Sequence, residues 1–143
     1  MKITIKTLGC RANRYESDKI REKFAERATF VEPSEPADIC IVNTCTVTSV
    51  ADRKSRLAIN ALRNISPDAK IIVFGCGPRI DPDKFRTEGI DFVATERKQI
   101  EEFLENYLKK AAKAKSPISS RTRTNIKIQD GCRNFCTYCI IAH

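Results

Sequence analysis

Cys132, Cys136 and Cys139 lie in the run Gly131-Cys132-Arg133-Asn134-Phe135-Cys136-Thr137-Tyr138-Cys139. The spacing is C-x3-C-x2-C, with an aromatic directly before the last cysteine. Three thiolates this close in sequence can close on one soft metal centre. They are one short of the four corners of a tetrahedral zinc site. Three protein ligands suit a cubane iron–sulfur cluster in which one iron is left open. The competing reading is a zinc knuckle completed by a distant ligand. His143, the only histidine, follows shortly after Cys139 and keeps that reading open.

A second set is spread along the chain. Cys10, Cys45 and Cys76 each follow a short apolar run that reads as a strand. In a parallel sheet the C-terminal strand ends line one edge, and loops from that edge build ligand sites. Thiols far apart in sequence are thereby brought together, making a second three-ligand soft-metal site. A helix or turn after each cysteine presents free backbone N–H groups that favour the thiolate. The competing reading is three small apolar residues buried at strand ends, a common fate of free cysteine. Cys40 differs: flanked by Ile39 and Ile41 inside a strand, it reads as packed core and not as a ligand.

These sites need elements to position them. Ile3, Ile5 and Leu8 open a strand that ends at Gly9-Cys10, and a helix is predicted from about Tyr15 to Ala28 with Ile20 and Phe24 on one face. Asp38–Asn43 reads as a buried parallel strand ending at Thr44-Cys45. A helix over about Ser49 to Asn64 follows, with Val50, Leu57, Ala61 and Ile65 at helical spacing. Lys70–Phe74 is a third strand, ending at Gly75-Cys76. A looser stretch with Pro78 and Pro82 leads to a short strand at Ile90–Val93. A last helix covers roughly Lys98 to Ala112, with Ile100, Phe103, Leu104, Tyr107 and Leu108 as its apolar stripe. The alternation predicts an α/β three-layer sandwich with a mostly parallel sheet, Rossmann- or flavodoxin-like, over residues 1–112. Residues 113–124 read as a linker. Lys113, Lys115, Arg121 and Arg123 make it either a solvated tether or a basic strip that touches RNA phosphates. Asn125–Gln129 reads as a further strand that opens a segment over residues 125–143.

Composition bounds the function. The chain has 143 residues, about one ordinary domain, and 41% are hydrophobic, enough for a core. Lys and Arg number 26 against 18 Asp and Glu, giving a formal net charge of +8 and favouring an anionic partner such as RNA. No apolar run approaches the ~20 residues of a membrane span, so no membrane association is expected. The start Met1-Lys2-Ile3-Thr4-Ile5 reads as a strand and not as a signal peptide, which makes the expected location cytoplasmic. Seven cysteines without a secretory segment point to metal rather than to disulfides.

Both cysteine sets together resemble the methylthiotransferase family of radical S-adenosylmethionine (SAM) enzymes. The residues that carry the likeness are Thr7-Leu8-Gly9-Cys10-Arg11-Ala12-Asn13-Arg14-Tyr15-Glu16, Val42-Asn43-Thr44-Cys45-Thr46-Val47-Thr48, Ala51 to Arg56, Phe74-Gly75-Cys76, and Ile126 through Ile141. The first two blocks are most similar to the branch that acts on tRNA carrying N6-threonylcarbamoyladenosine beside the anticodon. Other branches act on isopentenyladenosine tRNA or on a ribosomal protein. The resemblance implies that Cys132, Cys136 and Cys139 hold the radical [4Fe–4S] cluster, with Tyr138 near the adenine of SAM. It implies that Cys10, Cys45 and Cys76 hold an auxiliary [4Fe–4S] cluster; Asn13 and Asn43 match family positions near it, where they would bond the loops or the cluster sulfurs, the competing reading being local turn capping. The implied reaction replaces an aromatic C–H of adenine by C–S–CH3, with the radical generated from SAM. The implied partners are the tRNA anticodon stem-loop, SAM and an electron donor, with the protein a monomer.

Some residues depart from the family pattern. Gly77-Pro78-Arg79 follows Cys76 where the family has an aromatic and then Ala-Gln, and Ala142-His143 stands where it has Pro-Tyr. The family also carries a (β/α) barrel and a small C-terminal β domain, so residues 125–143 are expected to be only the first strand of that barrel, and the chain a truncated form inactive alone. A different class remains: a non-catalytic metal- or RNA-binding module, its cysteines on zinc or reduced and empty.

Overall fold

A computed structural model describes residues 1–46, 49–87, 89–109, 125–129 and 131–139. The strands are β1 (Lys2–Thr7), β2 (Thr29–Val31), β3 (Ile39–Thr44), β4 (Lys70–Gly75) and β5 (Phe92–Val93). The helices are α1 (Arg11–Phe24), α2 (Ser49–Ile65), α3 (Cys76–Ile80) and α4 (Arg97–Leu108), with a 3-10 turn over Asp83–Phe85. All strand pairs are parallel, and the sheet order is β2-β1-β3-β4-β5.

The period of two along each strand builds two cores. Ile39 and Ile41 of β3 join Ile3, Ile5, Ile72 and Phe74 on one face, closed by Ile20 and Phe24 of α1 and by Ile100, Leu104 and Leu108 of α4. Cys40 and Val42 join Ile71 and Val73 on the other, under Leu62 of α2 and Phe85. Both faces of β3 are therefore covered and all six of its residues are buried, as a central parallel strand requires. This is the expected three-layer sandwich, and Cys40 is wholly buried core.

From β1 the chain crosses outward to β2; from β3 it steps the opposite way to β4 and β5. The direction reverses between β1 and β3. In doubly wound sheets of this flavodoxin-like order, ligands bind in the crevice outside the strand ends at that reversal. Cys10 and Cys45 flank it, and Cys76 is one strand over.

Several expectations need correction. The helix expected from Tyr15 starts at Arg11, with Cys10 as its N-cap and the Arg14 N–H donating to the Cys10 carbonyl at 3.2 Å. The short edge strand β2 and the helix α3 were not anticipated. Pro78 misled there: in the first turn of a helix proline costs no hydrogen bond, because that N–H has no intrahelical partner. The stripe expected to bury α2 faces outward instead, with Val50 60% and Leu57 58% exposed and Ala61 and Ile65 also at the surface. The buried side runs through Ala51, Ser55, Ala58, Ile59 and Leu62, where small residues let the helix lie close to the sheet. Tyr107 is half-exposed and stacks on Phe103. Asn125–Gln129 forms no strand: Ile126 and Ile128 face solvent, and no strand lies beside them among the described residues. A lone segment gains no ladder hydrogen bonds, and its alternating pattern then carries no structure. The predicted linker over 113–124 and His143 lie outside the described residues.

Candidate metal centre at the C-terminal edge of the sheet

Two glycines let the loops of this edge meet. Gly9 has φ +151°, and a Cβ there would lie 2.8 Å from Asn13 Oδ1 and 2.9 Å from Cys45 Cβ. Gly75 has φ +107°, and a Cβ there would lie 2.4 Å from the Thr44 carbonyl oxygen. Only glycine takes both the backbone turn and the close approach. Each thus seats the cysteine beside it against the end of β3.

Asn13 ties the edge together. Its Nδ2 donates to Asn43 Oδ1 at 2.7 Å and to the Thr44 carbonyl at 2.9 Å. Its Oδ1 accepts from Cys10 Sγ at 3.2 Å. Asn43 Nδ2 donates to the Asn13 carbonyl at 2.7 Å and to Ser17 Oγ at 3.0 Å. Thr44 Oγ1 donates to the Phe74 carbonyl at 2.9 Å and accepts from the Gly77 N–H at 3.3 Å, fixing the start of α3. Both asparagines are buried, so this network is satisfied and rigid.

The three cysteines differ in exposure: Cys10 is exposed, Cys76 half-buried and Cys45 buried. Burial pushes the Cys76 thiol up; repulsion from Cys45, Cys10 and Glu16 adds to this, and the Asn13 hydrogen bond opposes it. Cys45 and Cys10 are therefore both within electrostatic reach of the Cys76 thiol. Burial as plain core fits Cys45 but not Cys10. Thr46 Oγ1, next to Cys45 in sequence, is buried without a hydrogen-bond partner among the described residues. A set of soft donors and a buried hydroxyl without a partner, next to Cys45 in sequence, fit a thiolate-bound group at this edge. Among the described residues no group of three His, Cys, Asp or Glu side chains is arranged as it stands to hold a metal ion.

Cys132, Cys136 and Cys139 lie on an irregular loop, all half-buried. The Cys139 N–H donates to the Cys136 carbonyl at 3.0 Å, and the Asn134 N–H donates to Cys132 Sγ at 3.4 Å. Phe135 and Tyr138 are exposed. The residues before this loop reach the other site. A cavity of about 190 Å³ is lined by Cys10, Asn13 and Cys76 on one side and by Lys127, Gln129 and Gly131 on the other. Sequence reasoning missed Glu16 and Arg79 in this wall; their only signal was nearness in sequence to Cys10 and Cys76.

The fold is a doubly wound parallel α/β sheet with three cysteines along its C-terminal edge, two of them flanking the reversal. The chain belongs to the family described as Uncharacterized protein family UPF0004, whose profile matches residues 2–95. It is similar to the Threonylcarbamoyladenosine tRNA methylthiotransferase MtaB of Thermotoga maritima, at 34% identity over 97% of this chain and 35% of the relative. The protein of the same name from Aquifex aeolicus is 32% identical over 100% of this chain and 40% of its own length. The tRNA-2-methylthio-N(6)-dimethylallyladenosine synthase of Thermodesulfovibrio yellowstonii is 27% identical over 99% of this chain and 37% of its length. The chain thus spans well under half the length of these relatives. Among the described residues no helix is long and apolar enough to cross a membrane.

Proposed function

We propose that this chain is the cluster-binding portion of a radical SAM methylthiotransferase that modifies tRNA. The observation that supports this reading is that Cys10, Cys45 and Cys76 each stand just past a strand of one parallel sheet, at its shared C-terminal edge, with Cys10 and Cys45 flanking the reversal. These thiols would hold an auxiliary [4Fe–4S] cluster, and Cys132, Cys136 and Cys139 would hold the radical cluster and SAM, with the exposed ring of Tyr138 available to stack on adenine. When bound, these groups supply the one-electron cleavage of SAM and the sulfur that the protein's own side chains cannot provide. The chain's residues do the positioning. Asn13 and Asn43 lock the loops that carry Cys10 and Cys45, and Gly75 brings Cys76 to the same edge.

The substrate we infer is the adenine of N6-threonylcarbamoyladenosine beside the anticodon. Higher identity to relatives bearing that name than to the dimethylallyladenosine enzyme supports it. An anticodon loop presents such a base unpaired at low cost. The net charge of +8 suits an RNA partner in the cytoplasm.

The test is methylthio transfer by the anaerobically reconstituted full-length protein, with tRNA carrying either modification offered in separate assays. Methylthio product on the threonylcarbamoyl substrate alone is expected. Product on the dimethylallyl substrate alone would reassign the substrate. A colourless protein with stoichiometric zinc and no product on either would replace the enzyme by a metal-binding module.

A further inference from the structure

Lys127 Nζ lies 2.7 Å from Glu16 Oε1, joining residues 111 positions apart in sequence. The pair is poorly exposed, 16% for the lysine and 15% for the glutamate. Its neighbours Ile126 and Ile128 are open to solvent, at 80% and 94%. The lysine is thus drawn in onto the second turn of α1, while the isoleucines on either side of it face out. The same two side chains, with Gln129 and Gly131, line the cavity that Cys10 and Cys76 line from below. An isolated extended segment has no ladder to hold it, so a charge-assisted contact of this kind decides where it rests.

We propose that Glu16 and Lys127 are a positioning pair. They dock residues 125–129 over the cysteine edge, so that this segment becomes a wall of the Cys10–Cys76 cavity. The pair sets the separation of the two cysteine sites. Its significance for catalysis rests on the transferase reading; the docking itself does not. Two sites that would act in turn on one adenine carbon need a fixed separation, and a misplacement of about 1 Å can cost a hundredfold in rate.

The experiment is lysine acetylation of the 143-residue chain, read residue by residue by mass spectrometry. Lys127 is expected to react about tenfold more slowly than the exposed Lys84. Glu16→Gln should raise that rate several-fold towards that of Lys84, while Lys23, paired with Glu101 at 2.8 Å, keeps its wild-type rate. Glu16→Asp, which keeps the charge, should retain most of the protection. Lys127→Gln is the second variant, made outside both cores: removal of the wall should speed alkylation of the half-buried Cys76. A Lys127 as reactive as Lys84 in the wild type, or one indifferent to Glu16→Gln, overturns the proposal. In the reconstituted protein, reduced clusters held close should broaden each other's paramagnetic resonance, and Glu16→Gln should remove that broadening. Protection of Lys127 together with no iron uptake sinks the transferase reading and leaves the pair standing.

Discussion

Asn13 accepts the Cys10 thiol with one amide atom and donates to Asn43 and Thr44 with the other, so one side chain ties a reactive loop to a buried strand end. That role follows from its place one turn into α1, three residues past the N-capping cysteine. Cys76 shows how much its surroundings govern a thiol. Burial, then Cys45 and Cys10, hold its proton on to higher pH than in the unfolded chain. The folded state is therefore favoured by this group below the unfolded thiol range, and that contribution is lost as pH rises through the folded titration. Alkylation of Cys76 in the metal-free protein should lag that in the urea-unfolded chain and keep rising with pH after the unfolded rate has levelled. Coincident profiles would contradict this. The same protonation slows metal loading at low pH, since the ligand must be a thiolate. At this scale the sequence was informative about cysteines and poor about their partners. The C-x3-C-x2-C spacing and the strand-end positions stand out in one dimension, and Cys40 is marked as core by its isoleucine neighbours. Glu16 and Lys127 carry no local pattern, because what pairs them is tertiary placement.

Among the elements, β1, β3 and β4 were legible because buried strands read as apolar runs bounded by Gly-Cys or Thr-Cys. α2 was legible as a helix but not in its orientation. Its large apolar residues, Val50 and Leu57, drew the eye to one stripe, while the sheet is met by Ala51, Ser55, Ala58 and Leu62. Close helix–sheet packing selects small side chains, and hydrophobicity alone does not reveal that. Leu62→Ala should therefore cost about 2–5 kcal/mol of stability, the usual range for a buried leucine. Leu57→Ala should stay within about 0.5 kcal/mol. Urea denaturation compares the two directly; equal losses would put the buried stripe back where the sequence pattern placed it. α3 was missed because Pro78 reads as a breaker, and β2 because three residues at a sheet edge carry too little pattern.

At the scale of the molecule, the order β2-β1-β3-β4-β5 does the decisive work. It brings three cysteines spread from position 10 to position 76 to one edge, and it puts the reversal of direction between the first two. Strand–helix alternation foretold the sheet class, and the parallel rule foretold that the strand ends share an edge; neither supplies the asparagine network or the contact that brings residues 125–129 to that edge. The account stands on Cys10, Cys45 and Cys76 acting together as ligands, independent of Cys40. Iron bound per chain after anaerobic reconstitution measures this most directly. Replacing Cys10, Cys45 and Cys76 together with alanine should remove about four irons per chain, one cubane, and Cys40→Ala should remove none. Unchanged iron in the triple variant, or iron lost with Cys40, would contradict it.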